Sequence, residues 1–198
     1  MHPYATNSSE RKVIVLGITA LSIVLAYSLS ALLIALRWSV PWWVDVPSVV
    51  GFFSLLYGCF DRYLWTYSLF RTLGLVKVPN LTGTWRGEVR SGFQAFSDPH
   101  AVTATITQTW TMICVELRAP HSTSESTVAA ILLPKPGSTI LTYQYRNQPT
   151  ADAAVGMHAH NGTATLTFVA TDKKAVLAGE YYCGRDRNNI GQITLERG

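Results

Sequence analysis

The sequence predicts a membrane-anchored all-β protein: two N-terminal transmembrane helices followed by a small closed antiparallel β-barrel of about eight strands. Three observations carry that reading. Residues 13–36 form a charge-free apolar run long enough to span a bilayer. A second apolar stretch resumes at Val46. From Pro79 onward, short runs of alternating apolar and polar residues replace any helical period. Composition agrees, since 48% of the 198 residues are hydrophobic and 14% are charged, whereas disordered chains and coiled coils need far more charge. The expected organisation is a cytoplasmic tail over 1–12, a transmembrane hairpin over 13–75 and a cytoplasmic β-barrel domain over 76–198.

At about 1.5 Å per residue the first run reaches roughly 36 Å, enough to cross a hydrocarbon core of about 30 Å with some tilt. Arg11 and Lys12 before it also suit a cleavable signal peptide, with Ser28-Leu29-Ser30-Ala31 as the cleavage site. The run, however, exceeds the apolar region of about 7–15 residues that such peptides carry. Trp38, Pro41, Trp42 and Trp43 form an interfacial aromatic cluster, after which the second span is expected over about 46–70. Asp61 and Arg62 interrupt it, either as an interfacial pair or as a polar contact within an assembled bundle. Arg11 and Lys12 precede the first span, Arg62, Arg71 and Lys77 attend the end of the second, and Arg37 stands between. This distribution predicts a multi-pass protein with both termini cytoplasmic. Ser22, Ala26 and Ser30, and again Ser54 and Gly58, recur at four-residue spacing and permit close helix approach.

The β region predicts strands over 82–91, 101–108, 110–118, 125–133, 139–147, 162–170, 175–184 and 189–196, a count suited to a small barrel. Val102, Ala104 and Ile106 alternate with threonines, as do Ala164, Leu166 and Phe168, so one face packs and the other is solvated. Between Ile106 and Ile113 the apolar phase flips without Gly or Pro. Residues 108–110 are therefore either a hairpin or a bulge in one bent strand. Cys59, Cys114 and Cys183 are expected as free thiols in a reducing compartment. No cysteine pair has zinc spacing, and His158 and His160, without a nearby partner ligand, read as a loop feature. Charge is spread evenly, five basic and three acidic residues before Val76 and eleven and nine from it onward. No basic stripe points to a nucleic-acid duplex.

In either strand count, the loops at 120–125, 148–161 and 185–188 fall at one end of the barrel. That mouth gathers Ser122, Ser124, Ser126, Tyr145, Asn147, His160, Tyr182 and Arg185, while Pro134, Lys135, Pro136, Lys173 and Lys174 gather at the other end. Aromatic faces beside hydroxyls, an amide and a guanidinium suit a compact anion with planar rings, since the rings stack while Arg and hydroxyls meet phosphate oxygens. That describes a nucleotide. The competing reading is that Tyr143, Tyr145, Tyr181 and Tyr182 fill a small core. No phosphate-binding loop, nucleophile elbow or dinucleotide fingerprint is present, so neither an enzyme nor a bound cofactor is expected.

Gly83-Thr84-Trp85 resembles the G-x-W opening of lipocalin and avidin-type barrels. The whole layout, two helices, then PNLTGTWRG at 79–87, ITQTW at 106–110, Ser122, Ser124 and Ser126, YQYRNQP at 143–149, HNGTA at 160–164 and GEYYCGR at 179–185, resembles the CD-NTase-associated protein fifteen family. These are membrane-anchored β-barrel effectors of bacterial CBASS anti-phage systems. The resemblance implies an inner-membrane receptor whose activating ligand is a cyclic dinucleotide made by a functionally linked nucleotidyltransferase. It further implies self-association on ligand binding, disruption of the lipid bilayer and abortive infection. The alternative is a membrane-tethered, lipocalin-like carrier or scaffold for an apolar small molecule, which calls for a wide apolar calyx instead of a polar mouth.

Overall fold

The computed structural model describes residues 1–38, 45–92, 95–135, 137–154, 158–171, 174–184 and 189–198. They form two compact units, one of residues 8–77 and one of residues 1–7 together with 78–198.

In the first unit, α1 (Glu10–Ala35) covers the charge-free run. Among the described residues it alone is long and apolar enough to cross a membrane by length and composition. Ile14, Ile18, Ser22 and Ala26, four residues apart, form its buried stripe, and α1 packs on α2 (Asp45–Arg62). The small positions Ser22 and Ala26 thus already lie in a buried helix face, where the Ser22 hydroxyl donates to the Ile18 carbonyl at 2.7 Å. Leu16, Ile23, Val24, Leu32 and Ile34 are exposed. The expected second span over 46–70 is not one helix. α2 stops at Arg62, and a 3-10 turn (Leu64–Thr66) and the short α3 (Ser68–Thr72) follow. Tyr63 and Tyr67 break the helical run, the latter in an extended conformation (φ −68°, ψ 138°). Phe70 returns edge-on to Phe60 at 5.3 Å. The expected cluster at Pro41, Trp42 and Trp43 lies outside the described residues. Glu10, buried in the first turn of α1, accepts the Lys77 backbone N–H at 2.6 Å.

The second unit is a closed sheet of nine strands. The eight expected runs recur as β2 (Gly83–Ser91), β3 (Pro99–Gln108), β4 (Met112–Ala119), β5 (Ser122–Lys135), β6 (Ser138–Pro149), β7 (His160–Ala170), β8 (Ala175–Cys183) and β9 (Ile190–Arg197). Each pairs antiparallel with the next, and β9 returns to β2. The alternative left open at 108–110 is a hairpin: Gln108 faces Ile113, the Thr109 N–H donates to the Met112 carbonyl at 2.8 Å, and the Thr109 hydroxyl accepts the Met112 N–H at 3.0 Å. A threonine side chain here does the work of a turn residue.

The ninth strand corrects the expected tail over 1–12. Residues His2–Thr6 form β1, antiparallel to β4 at Ile113 and parallel to β5 at Ala129, Ala130 and Ile131. Its slot exists because β4 and β5 pair only from Glu116/Glu125 to Ala119/Ser122 and then diverge. A register shift between Ser126 and Val128 marks the divergence and flips the inward phase of β5, from Ser124 and Ser126 to Ala129 and Ile131. At this fork the Ser126 hydroxyl accepts the buried Val115 N–H at 2.9 Å and bonds His2 Nε2 at 2.8 Å. Tyr4 is buried and donates to the Trp110 carbonyl at 2.6 Å, while Asn7 accepts the Leu133 N–H at 2.9 Å. A strand of five residues carries too little pattern to announce itself in sequence. What creates it is a pair of edges whose backbone groups need partners.

Trp85 plugs the end opposite the 120–125 loop. It is fully buried, its Nε1 donates to the Leu81 carbonyl at 2.9 Å, and Arg197 lies 4.5 Å over its ring. The Gln108 side chain braces this floor, accepting from the Leu81 N–H at 2.8 Å and donating to the Pro79 carbonyl at 3.2 Å.

Residues 78–198 alone are expected to fold less stably than a chain in which a short Gly/Ser linker replaces residues 8–77 and keeps β1. Because the difference includes one buried aromatic side chain, it should be on the order of 3–5 kcal/mol in urea denaturation. Equal midpoints would show that β1 contributes nothing to closure.

Candidate functional site

The strand stagger sets the height of each inward residue. A cross-strand row that begins at the floor with Trp85 passes through Ala104, Leu117, Ser124 and Asn147 and ends at His160 on the mouth. Polar residues are thus collected on the β5–β7 side of the open end. There a cavity of about 710 Å³ is lined by Ser122, Ser124, Tyr143, Tyr145, Asn147 and His160 together with Tyr181, Cys183, Asn189, the β2–β4 residues Ser91, His100 and Leu117, His121 of the β4–β5 turn, and the apolar Val89, Val102 and Ile193. The volume lies in the range of small-molecule sites.

Of the eight residues expected at the mouth, Ser122, Ser124, Tyr145, Asn147 and His160 line this cavity. Ser126 is held at the fork between β4 and β5 and is a structural residue. Tyr182 points outward, 55% exposed, into a separate outer groove of about 410 Å³ beside Gln144 and Arg146. Its neighbour Tyr181 takes the inward position, because β8 alternates through the buried Leu177, the partly buried Tyr181 and the buried Cys183 on one face. Counting by twos from Leu177 would have found it. Arg185 lies outside the described residues, as do Pro136 and Lys173 of the other end. His100, His121 and Asn189 carried no signal in the sequence, since each enters the site through its place at a strand or loop end.

The mouth is stitched across loops. The Thr150 N–H donates to the His121 carbonyl at 2.9 Å, Asn189 Nδ2 donates to Ser91 Oγ at 2.8 Å, and the Gly184 N–H donates to the Asn161 carbonyl at 2.9 Å. His160 Nδ1 donates to the His158 carbonyl at 2.9 Å, which leaves Nε2 of the neutral ring as an acceptor. Among the described residues no Lys or Arg lines the cavity, and no cluster of His, Cys, Asp or Glu is placed to hold a metal.

Below the rim lie the phenols. Tyr145 is buried at 8% exposure, with Oη 3.7 Å from Cys183 Sγ and its ring 6.1 Å from that of Tyr143. Burial holds both phenols above their ordinary range, with Cys183 adding to the effect at Tyr145. They are therefore neutral hydrogen-bonding groups and present no negative charge to an anion. On the outer wall, Cys114 is also raised, first by burial and then by its bond to Glu125 at 3.5 Å, so it stays a thiol. All three cysteines are free.

A family model described as "Cap15, cyclic dinucleotide receptor domain" matches residues 76–197, and one described as "Cap15, TM helices" matches residues 12–66. A curated protein of Yersinia aleksiciae named "CD-NTase-associated protein 15" is 34% identical over 154 residues, which cover 76% of this chain and 69% of the relative. A protein of the same name from Staphylococcus schleiferi is 26% identical over 156 residues, 78% of this chain and 80% of the relative.

The buried phenols give this site a pH signature. Their folded pKa values stand above the unfolded value of about 10, so the unfolded chain loses these protons first. Their contribution to stability is complete below pH of about 10 and is lost as pH rises above it. Urea midpoints should fall between about pH 9 and 11, and the fall should shrink in Tyr143→Phe. An undiminished fall in that variant would place the titration elsewhere.

Proposed function

The chain belongs to the Cap15 family, and from that premise we propose that it is a cyclic dinucleotide receptor and effector of a CBASS anti-phage system. One observation carries the reading: the receptor-domain match, residues 76–197, spans the strands that enclose the cavity of about 710 Å³. Ser122, Ser124, Asn147 and His160 in its lining favour a nucleotide over the apolar ligand of a carrier, for which Val89, Val102, Leu117 and Ile193 would suffice. In this reading Tyr145 stacks on a base, and Ser122, Ser124 and Asn147 bond ribose or base edges. His160, its Nδ1 engaged by the His158 carbonyl, meets the ligand through Nε2. Arg185, in sequence between the lining residues Cys183 and Asn189, supplies the bidentate contact to phosphate. Catalysis has no part in it.

The ligand comes from a linked nucleotidyltransferase, in keeping with the names of both relatives. Ligand binding drives self-association of the barrel, and the helices, both crossing the inner membrane with termini and barrel on the cytoplasmic side, then disrupt it. A ligand shifts such an equilibrium only by binding the assembled state more tightly. The exposed apolar faces of α1 and the match to membrane helices over 12–66 support the membrane as target.

Calorimetry of the full-length protein with a panel of cyclic dinucleotides should show Arg185→Ala and Asn147→Ala weakening the best ligand roughly tenfold to a hundredfold, the loss of a charge-assisted or buried hydrogen bond. Parent-like affinity in both variants would refute these roles. In a second experiment a short linker replaces residues 8–77. Ligand-induced oligomers should persist in ultracentrifugation, while toxicity and dye leakage during synthase expression disappear. A barrel that stays monomeric at saturating ligand would sink the assembly step.

A further inference from the structure

Two glycines of the cavity wall stand opposite tyrosines that occupy the space where a side chain would be. Gly162 on β7 pairs with Tyr145 on β6, and a Cβ built on Gly162 meets the hydroxyl end of Tyr145 first. Gly191 on β9 pairs with Tyr181 on β8, and a Cβ built there runs into the Tyr181 side chain, whose ring edge and hydroxyl supply all three of its nearest atoms. In each pair the phenol lies across the bare glycine backbone, the arrangement by which an aromatic residue covers a strand glycine. Both tyrosines line the cavity. A methyl group at either glycine would force the ring off the wall, and the open space on that side is the cavity itself.

We propose that Gly162 and Gly191 are seats that hold the Tyr145 and Tyr181 rings back against the barrel wall, setting the width of the cavity and presenting two tyrosine surfaces, on β6 and β8, to the planar rings of the ligand. The inference rests on the cyclic dinucleotide reading and adds two positioning residues that touch no ligand. Tyr143, tilted 54° against Tyr145, backs the first surface. The second belongs to Tyr181, whose inward place follows from the β8 register.

The test uses full-length protein in detergent micelles, with cyclic di-AMP, cyclic di-GMP and cyclic GMP-AMP as calorimetric probes. Gly191→Ala is the sharper variant, because the atoms its methyl first meets belong to one side chain, whereas Gly162→Ala also meets the Tyr182 carbonyl. Gly191→Ala should keep a cooperative melt and weaken the best probe about tenfold, the equivalent of one lost base stack. In a Tyr181→Ala background the same substitution should cost nothing further, since no ring remains to displace. Equal losses in the two backgrounds overturn the proposal. The seat is also read without ligand: the ring signals of ¹³C-labelled Tyr181 must shift in Gly191→Ala, and unchanged signals overturn it whatever the affinity does. If no probe binds the parent protein, the ligand reading fails while these signals still decide the seat. If Gly191→Ala does not fold, adding Tyr181→Leu must restore folding by making room, and failure of that rescue refutes the seat.

Discussion

The Trp85 plug is the interaction on which the rest of the barrel depends. A barrel of about eight or nine strands has an interior just wide enough for side chains to fill, so an open cavity at one end requires close packing at the other. Trp85 supplies that packing. Its indole nitrogen is satisfied by Leu81, its ring is covered by Arg197, and Gln108 pins the 79–81 segment beneath it. Leu141, Leu166, Leu177 and Leu195, all fully buried, complete the core around it. With the core concentrated there, the opposite end can carry Ser, Asn, His and Tyr beside Val89, Val102, Leu117 and Ile193.

The second constraint is the seam. β4 and β5 part at Ser126, and β1 closes the gap with five residues from the very start of the chain. One wall strand is therefore followed within a few residues by α1; Asn7 is held by Leu133 within the β unit, and Glu10 holds Lys77 within the helical unit. Ser126 illustrates how a residue type that suits ligand recognition is used for architecture. Its hydroxyl accepts the Val115 N–H at the fork and bonds the His2 ring of β1.

The phenols of the site are kept protonated by burial, and the rim offers hydroxyls, two amides and imidazoles. Such a lining discriminates by shape and hydrogen bonding, since unpaired polar groups on either partner are costly once water is excluded.

The sequence by itself indicated the long apolar helix, the runs that become β2 to β9, with the join at 108–110 left open, and the end of the barrel at which the polar residues collect. These follow from local rules: a charge-free run, a two-residue alternation, and the fact that alternate loops of an antiparallel meander return to the same end. It also found five lining residues, Ser122, Ser124, Tyr145, Asn147 and His160. Only the tertiary structure decided the rest. β1 exists because β4 and β5 diverge, and the register shift near Thr127 reverses which β5 residues face inward. The place of Gly162 and Gly191 opposite tyrosines is likewise a matter of register between strands. Alternation within one strand reveals a face, but which face turns inward, and what lies across from it, is set by pairing with residues far away in the chain.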